Sequence, residues 1–102
     1  MRIDCHHSED GTPVLRIAGR LDFSGRDEFA AWIERFLHQV TGREVHVNCS
    51  ELDYLDSSGL GMLLILRDRA LRLGCSVALL NCNATILAVL NTVQFGRLFR
   101  VA

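Results

Sequence analysis

Lysine is missing from this chain of 102 residues; all eleven basic residues are arginine. That absence excludes an internal Schiff-base lysine and a lysine-bearing phosphate loop, and with them two enzyme classes. No Cys-x-x-Cys pair occurs either. Cys5, Cys49, Cys75 and Cys82 are widely spread, so neither a zinc knuckle nor a redox dithiol is indicated, and Cys49 and Cys75 read as reduced, buried hydrophobes. No apolar run approaches the roughly 18 residues that span a bilayer. The start, Met1-Arg2-Ile3-Asp4-Cys5-His6-His7, lacks the apolar core of a signal peptide. The cytoplasm is therefore the expected location, and the sequons Asn48-Cys49-Ser50 and Asn83-Ala84-Thr85 read as chance matches. A net charge of −1 gives no general attraction to nucleic acid or to an anionic membrane. No linker, repeat or low-complexity tract divides the chain, and residues 1–102 are expected to form a single domain that needs no disulfide or metal.

Hydrophobic periodicity supplies the elements. Ile3–His7 and Val14–Ala18 read as strands joined by the turn Ser8–Pro13, hence a hairpin. Ser24 can cap a helix with Phe29, Trp32, Ile33, Phe36, Leu37 and Val40 on its core face, stopped by Gly42. Val45–Cys49 reads as a strand followed by an acidic loop. Leu60, Leu63, Leu64, Ala70 and Leu71 then recur at helical spacing up to Leu73-Gly74, and Ser76–Leu80 is a second apolar strand. Two strands so connected form a parallel pair with a right-handed crossover. A short helix over Ala84–Thr92 has Asn83 as its cap and Ile86, Val89, Leu90 and Val93 on one side, and a last strand lies within Leu98–Val101. The expected class is α/β, a small mixed β-sheet with helices largely on one face.

Leu55-Asp56-Ser57-Ser58-Gly59-Leu60-Gly61 places two hydroxyls where the acidic loop meets the helix. Asp56, Ser57 or Ser58 can cap that helix, because a side-chain oxygen there accepts from first-turn amides. The same position suits reversible phosphorylation. A phosphoserine adds about −1.5 to −2 charges, which a helix N-terminus accommodates, and Asp56, Glu51 and Asp53 would make the surface still more repellent to a docked partner. Catalysis fits less well. The nucleophile elbow needs glycine two residues before the serine, where Leu55 and Asp56 stand. His6, His7, His38 and His46 come with no motif for a positioned base or a metal site, and Gly59-Leu60-Gly61 lacks the third glycine of a nucleotide loop, Leu64 standing in its place. No enzymatic role, cofactor or metal is expected.

Gly19-Arg20-Leu21-Asp22 closing an apolar strand, then a helix, a strand, Asp56-Ser57-Ser58-Gly59-Leu60-Gly61, a helix and a strand, resembles the STAS domain from about residue 3 to residue 101. Within that family the chain looks most like the stand-alone bacterial anti-sigma factor antagonists. The resemblance implies a STAS-like domain acting as a non-enzymatic partner switch. Its dephosphorylated form would bind an anti-sigma factor with serine kinase activity and relieve inhibition of a sigma factor. Ser57 would be the phosphoacceptor, and Asp22, Asp56, Ser58 and Gly59 would belong to the partner-facing surface. A phosphatase would reset the switch, while ATP and magnesium would belong to the kinase. Asn48 matches an asparagine near the end of the central strand, and Arg20 departs from a pattern that often has glutamate. The alternative implied by the family is a constitutive STAS subunit of a membrane transport assembly, such as a lipid-trafficking transporter. Neither reading requires direct contact with nucleic acid or insertion into a membrane.

Overall fold

Side-chain alternation decides how the sheet faces the core. In the computed structural model, which describes residues 1–38, 40 and 42–102, strand β2 (Pro13–Leu21) buries Leu15, Ile17 and Leu21 fully, while Arg16 and Arg20 between them reach solvent. Strand β1 (Arg2–His7) pairs antiparallel with β2, Ile3 opposite Ile17 and His7 opposite Pro13. Strand β3 (Glu44–Asn48) joins β2 in parallel, β5 (Ser76–Leu80) joins β3, and β6 (Arg100–Val101) joins β5. The order is β1-β2-β3-β5-β6, with a further strand, β4 (Leu52–Leu55), paired in parallel to the end of β2. The expected hairpin, parallel pair and mixed sheet are all present.

Helices α1 (Arg26–Leu37), α2 (Ser57–Arg72) and α3 (Ala84–Thr92) complete the fold. Phe29, Ile33 and Phe36 of α1 and Leu63, Leu66 and Ala70 of α2 join Leu15, Ile17, Val45, Val47, Val77 and Leu79 of the strands in one buried cluster. Burial of this apolar surface is the main source of stability. The opposite sheet face is polar. There Arg16 pairs with Asp4 at 2.7 Å and Glu51 at 3.2 Å, and Arg100 pairs with Glu44 at 2.7 Å. These pairs are partly exposed, so their net contribution is small beside the core.

Several sequence expectations change. Ser24 does not cap α1: Asp22 caps a short 3₁₀ turn over Phe23–Gly25, and α1 begins after Gly25 without a side-chain cap. The helix stops at Leu37, so Val40 is buried from the following segment, and Gly42 stands beyond the helix end; Gln39 and Thr41 lie outside the described residues. Trp32 is only half-buried at the margin of the apolar stripe, where the Arg35 guanidinium lies 4.2 Å from its ring centroid. In α2, Leu64 and Leu71 are exposed and Met62 and Leu66 take the inward positions. That helix is apolar most of the way round, and so its buried side is set by the sheet it meets. Val93 is likewise exposed, one residue past α3.

Phe29, 1% exposed, and Trp32 provide an internal comparison. Phe29→Ala is expected to cost about 3 to 5 kcal/mol, and Trp32→Ala clearly less, as measured by denaturant midpoints. Equal losses would place Trp32 in the core after all. Glu44 supplies a pH test. Arg100 first, and His46 second, hold its carboxyl down from 4.5 to about 2. A depressed carboxyl contributes stability above its unfolded value that is lost as pH falls through the folded one. Thermal melts of wild type and Glu44→Gln should therefore differ above pH 4.5 and converge as pH falls towards about 2.

Candidate functional site

Gly19 turns β2 towards the site. Its φ of +86° accompanies a register shift between Gly19 and Arg20, so the strand leaves β3 and continues beside β4. The Gly19 N–H donates to Glu51 O at 2.9 Å, and then Arg20 lies opposite Tyr54 and Leu21 opposite Leu55. Asp22 and Asp56 are the next residues on the two strands. Parallel pairing thus brings two motifs that are distant in sequence to the same end of the sheet.

Each aspartate organises the chain that follows it. Asp22 Oδ1 accepts from Ser24 N at 3.1 Å and from Ser24 Oγ at 2.5 Å; the hydroxyl contact first, opposed by partial burial, keeps its carboxyl below the usual range. Asp56 has an extended backbone, and its Oδ1 accepts from Gly59 N at 2.9 Å, which makes it the N-cap of α2. The open choice among Asp56, Ser57 and Ser58 is thereby resolved. Ser57 is the first helical residue and is exposed, whereas Ser58 is half-buried. Gly59 is buried, and nothing larger fits there. An added Cβ would stand 2.2 Å from Leu21 O and 2.8 Å from Leu55 Cδ1.

Arg20 and Tyr54 link the two aspartates. The Arg20 guanidinium lies 3.6 Å from the Tyr54 ring centroid and its Nε donates to Asp22 Oδ2 at 3.4 Å, while the Tyr54 hydroxyl donates to Asp56 Oδ2 at 3.4 Å. No motif marks Tyr54, because its facing of Arg20 follows only from β4. Glu51 also moves: its carboxylate pairs with Arg16 and Arg2 at the far end of β4, so the charge beside Ser57 comes from Asp56 and not from Glu51. Asn48 has a local role, its Oδ1 accepting from Ser50 N at 3.0 Å and from Asn81 Nδ2 at 3.4 Å. Chemically, the loop presents one exposed hydroxyl at a helix N-terminus beside a capping carboxylate. Among the described residues, no group of three His, Cys, Asp or Glu side chains is placed to hold a metal.

The family model described as "Mlab, STAS domain" matches residues 6–100. The chain belongs to the STAS domain family. A STAS-domain containing protein of Pseudomonas aeruginosa (strain UCBPP-PA14) is 36% identical over 103 residues, covering all of both chains. Among solved structures, the anti-sigma factor antagonist SpoIIAA in its unphosphorylated form is 26% identical with a TM-score of 0.70, over 99% of this STAS domain and 87% of that chain. The phosphorylated form of SpoIIAA from Bacillus is 25% identical with the same TM-score, over 99% and 91%. A sulfate transporter family protein from Wolinella succinogenes shares the fold at 15% identity and a TM-score of 0.72, over 86% and 73%. This single mixed α/β domain therefore has a SpoIIAA-like fold.

Three substitutions separate the structural roles in the loop. Gly59→Ala should destabilise by at least about 1 to 3 kcal/mol, because its Cβ meets backbone. Asp56→Ala should cost about 0.5 to 2 kcal/mol through the lost cap. Ser57→Ala should stay within about 0.5 kcal/mol of wild type, since Ser57 is not the cap. Urea titrations check all three, and a large loss at Ser57 would contradict the assignment of the cap to Asp56.

Proposed function

We propose that this STAS domain is a phosphorylation-controlled partner switch. In its dephosphorylated form it binds an anti-sigma factor with serine kinase activity and so relieves inhibition of a sigma factor; phosphorylation of Ser57 ends the binding, and a phosphatase restores it. The observation that carries the reading is the exposed Ser57 hydroxyl at the first position of α2, beside the capping Asp56. A phosphate at that point meets the positive end of a 16-residue helix, so the fold can keep it while the surface becomes more negative. The equal TM-scores of 0.70 against unphosphorylated and phosphorylated SpoIIAA fit a modification that leaves the fold intact. Phe23, Leu64 and Ile65, exposed on the 3₁₀ turn and on α2, offer apolar area for a partner. Asp22, Asp56, Ser58 and Gly59 complete the proposed surface, Gly59 by shaping backbone and not by contact.

The second reading, a constitutive subunit of a membrane transport assembly, draws on the occurrence of the fold in a sulfate transporter family protein. The two differ in whether Ser57 is modified. Incubation with ATP and an anti-sigma kinase that binds the chain, followed by peptide mass spectrometry, is expected to find phosphate on Ser57, and Ser57→Ala should bind that kinase irrespective of ATP. Asp22→Asn keeps an acceptor for the Ser24 amide while removing the charge, so it should stay folded and bind at least about tenfold more weakly, equivalent to 1.4 kcal/mol. Phosphate on Ser58, or unchanged binding by Asp22→Asn, would remove those residues from the proposed roles. A chain that stays unmodified with an active kinase and purifies with transport subunits would decide for the second reading.

A further inference from the structure

A cavity of about 230 Å³ lies between β1, at the edge of the sheet, and the last turns of α1. Arg35, Arg43, His6 and His7 line it, with Phe36 and Cys5, and among the described residues no carboxylate does. The carboxylates near by are turned elsewhere. Glu34 pairs with Arg69 of α2, on the other flank of α1, and Asp4 is held by Arg16 at 2.7 Å on the outer face of the sheet. Arg35 stacks on Trp32, its guanidinium 4.2 Å from the ring centroid. Partial burial raises the Cys5 thiol above its ordinary value, and the Arg35 charge near it works against that rise. Among the described residues, neither Arg35 nor Arg43 belongs to an ion pair. Positive charge gathered in a concave, partly apolar site raises the local concentration of anions.

We propose that this cavity binds a small phosphate monoester, its dianionic head held by Arg35 and Arg43 and its apolar body set against Phe36. The lining selects the head. A guanidinium presents paired N–H donors that match two oxygens of a phosphate, and the imidazoles of His6 and His7 add further donors. A phosphate monoester carries about −1.5 to −2 charges at neutral pH, enough to answer both arginines, whereas a carboxylate answers one. The volume selects the body. About 230 Å³ is below the roughly 300 to 1,000 Å³ of pockets for drug-sized ligands, so a single ring fits and a nucleotide does not. The site is separate from the serine loop. His7 lies opposite Pro13 at the start of β2, and Arg43 directly precedes β3, whereas Asp22 and Ser57 follow the far ends of β2 and β4. A ligand here therefore leaves Ser57 open.

Phenyl phosphate is the probe, and the site carries two reporters of its own. Trp32, the single tryptophan, senses Arg35 through their stacking, and the exposed Cys5 thiol senses occupancy of the cavity. Titration of the wild-type chain at constant ionic strength should change the Trp32 fluorescence saturably. Peptide mass spectrometry should show slower alkylation of Cys5 by iodoacetamide, with Cys82 unaffected. Inorganic phosphate and benzoate should bind more weakly, the first for want of a body and the second for want of charge, and phenol should have no effect. Arg43 is exposed, so Arg43→Gln should keep the wild-type denaturant midpoint while weakening phenyl phosphate binding by about tenfold. A response without saturation, unprotected Cys5, or equal binding of inorganic phosphate or benzoate would overturn the proposal, as would unchanged affinity in Arg43→Gln. The wild-type titration decides by itself whether the cavity takes the ligand, whatever the stability of the variant.

Discussion

The site depends on a three-residue parallel pairing between the end of β2 and β4, entered through the left-handed backbone of Gly19. Without that turn β2 would continue along β3, and the segment ending in Asp22 would have no fixed relation to the serine loop. With it, backbone hydrogen bonds set the spacing, and side chains only have to refine it. Sites held by strands and helix ends are positioned more tightly than sites held by loops alone. The pairing also explains Arg20 and Tyr54. Opposite residues on neighbouring strands share a face, so a cation meets an aromatic ring and both reach an aspartate.

The core and the candidate site draw on different parts of the molecule. The fold is held by the cluster between the helices and the inward side of the sheet, whereas the ion pairs on the outward side are partly exposed and screened. At the serine loop the carboxylates serve backbone geometry first, since Asp22 and Asp56 each satisfy amides of the turn they precede. Their charge remains on the surface while they do so. A single residue can thereby fix a local conformation and set the local potential, which is why removing its charge and removing its oxygen are different experiments.

The sequence made the helices and most strands legible because their apolar residues fall at unmistakable periods, and Asn83 was readable as a cap from its place before Ala84. Strand β4 was not, since Leu52-Asp53-Tyr54-Leu55 is short and half polar and resembles a loop until its backbone partner is known. The hidden roles of Tyr54 and the misplaced Glu51 both follow from that one omission. Leu64 and Leu71 share helical spacing with Leu60, Leu63 and Ala70 yet are exposed, because α2 offers several apolar faces and tertiary packing chooses between them. Trp32 shows the opposite case, a large ring at the border of a stripe whose size suggested burial that its position does not provide. Ser57 was singled out by motif, and the geometry adds that its neighbour holds the cap.

The contact at Gly59 limits how the loop can respond to anything attached to it. With its Cα side pressed so close to Leu21 O that even a methyl group would overlap, α2 has no room to slide or roll towards β2 at its first turn. Packed interiors resist small displacements, and a group added at the neighbouring surface cannot be absorbed by moving the helix inward. Its influence is directed outward, into the electric potential and the shape that an approaching molecule meets. A group attached at this loop would change its outer surface and potential more than the position of α2.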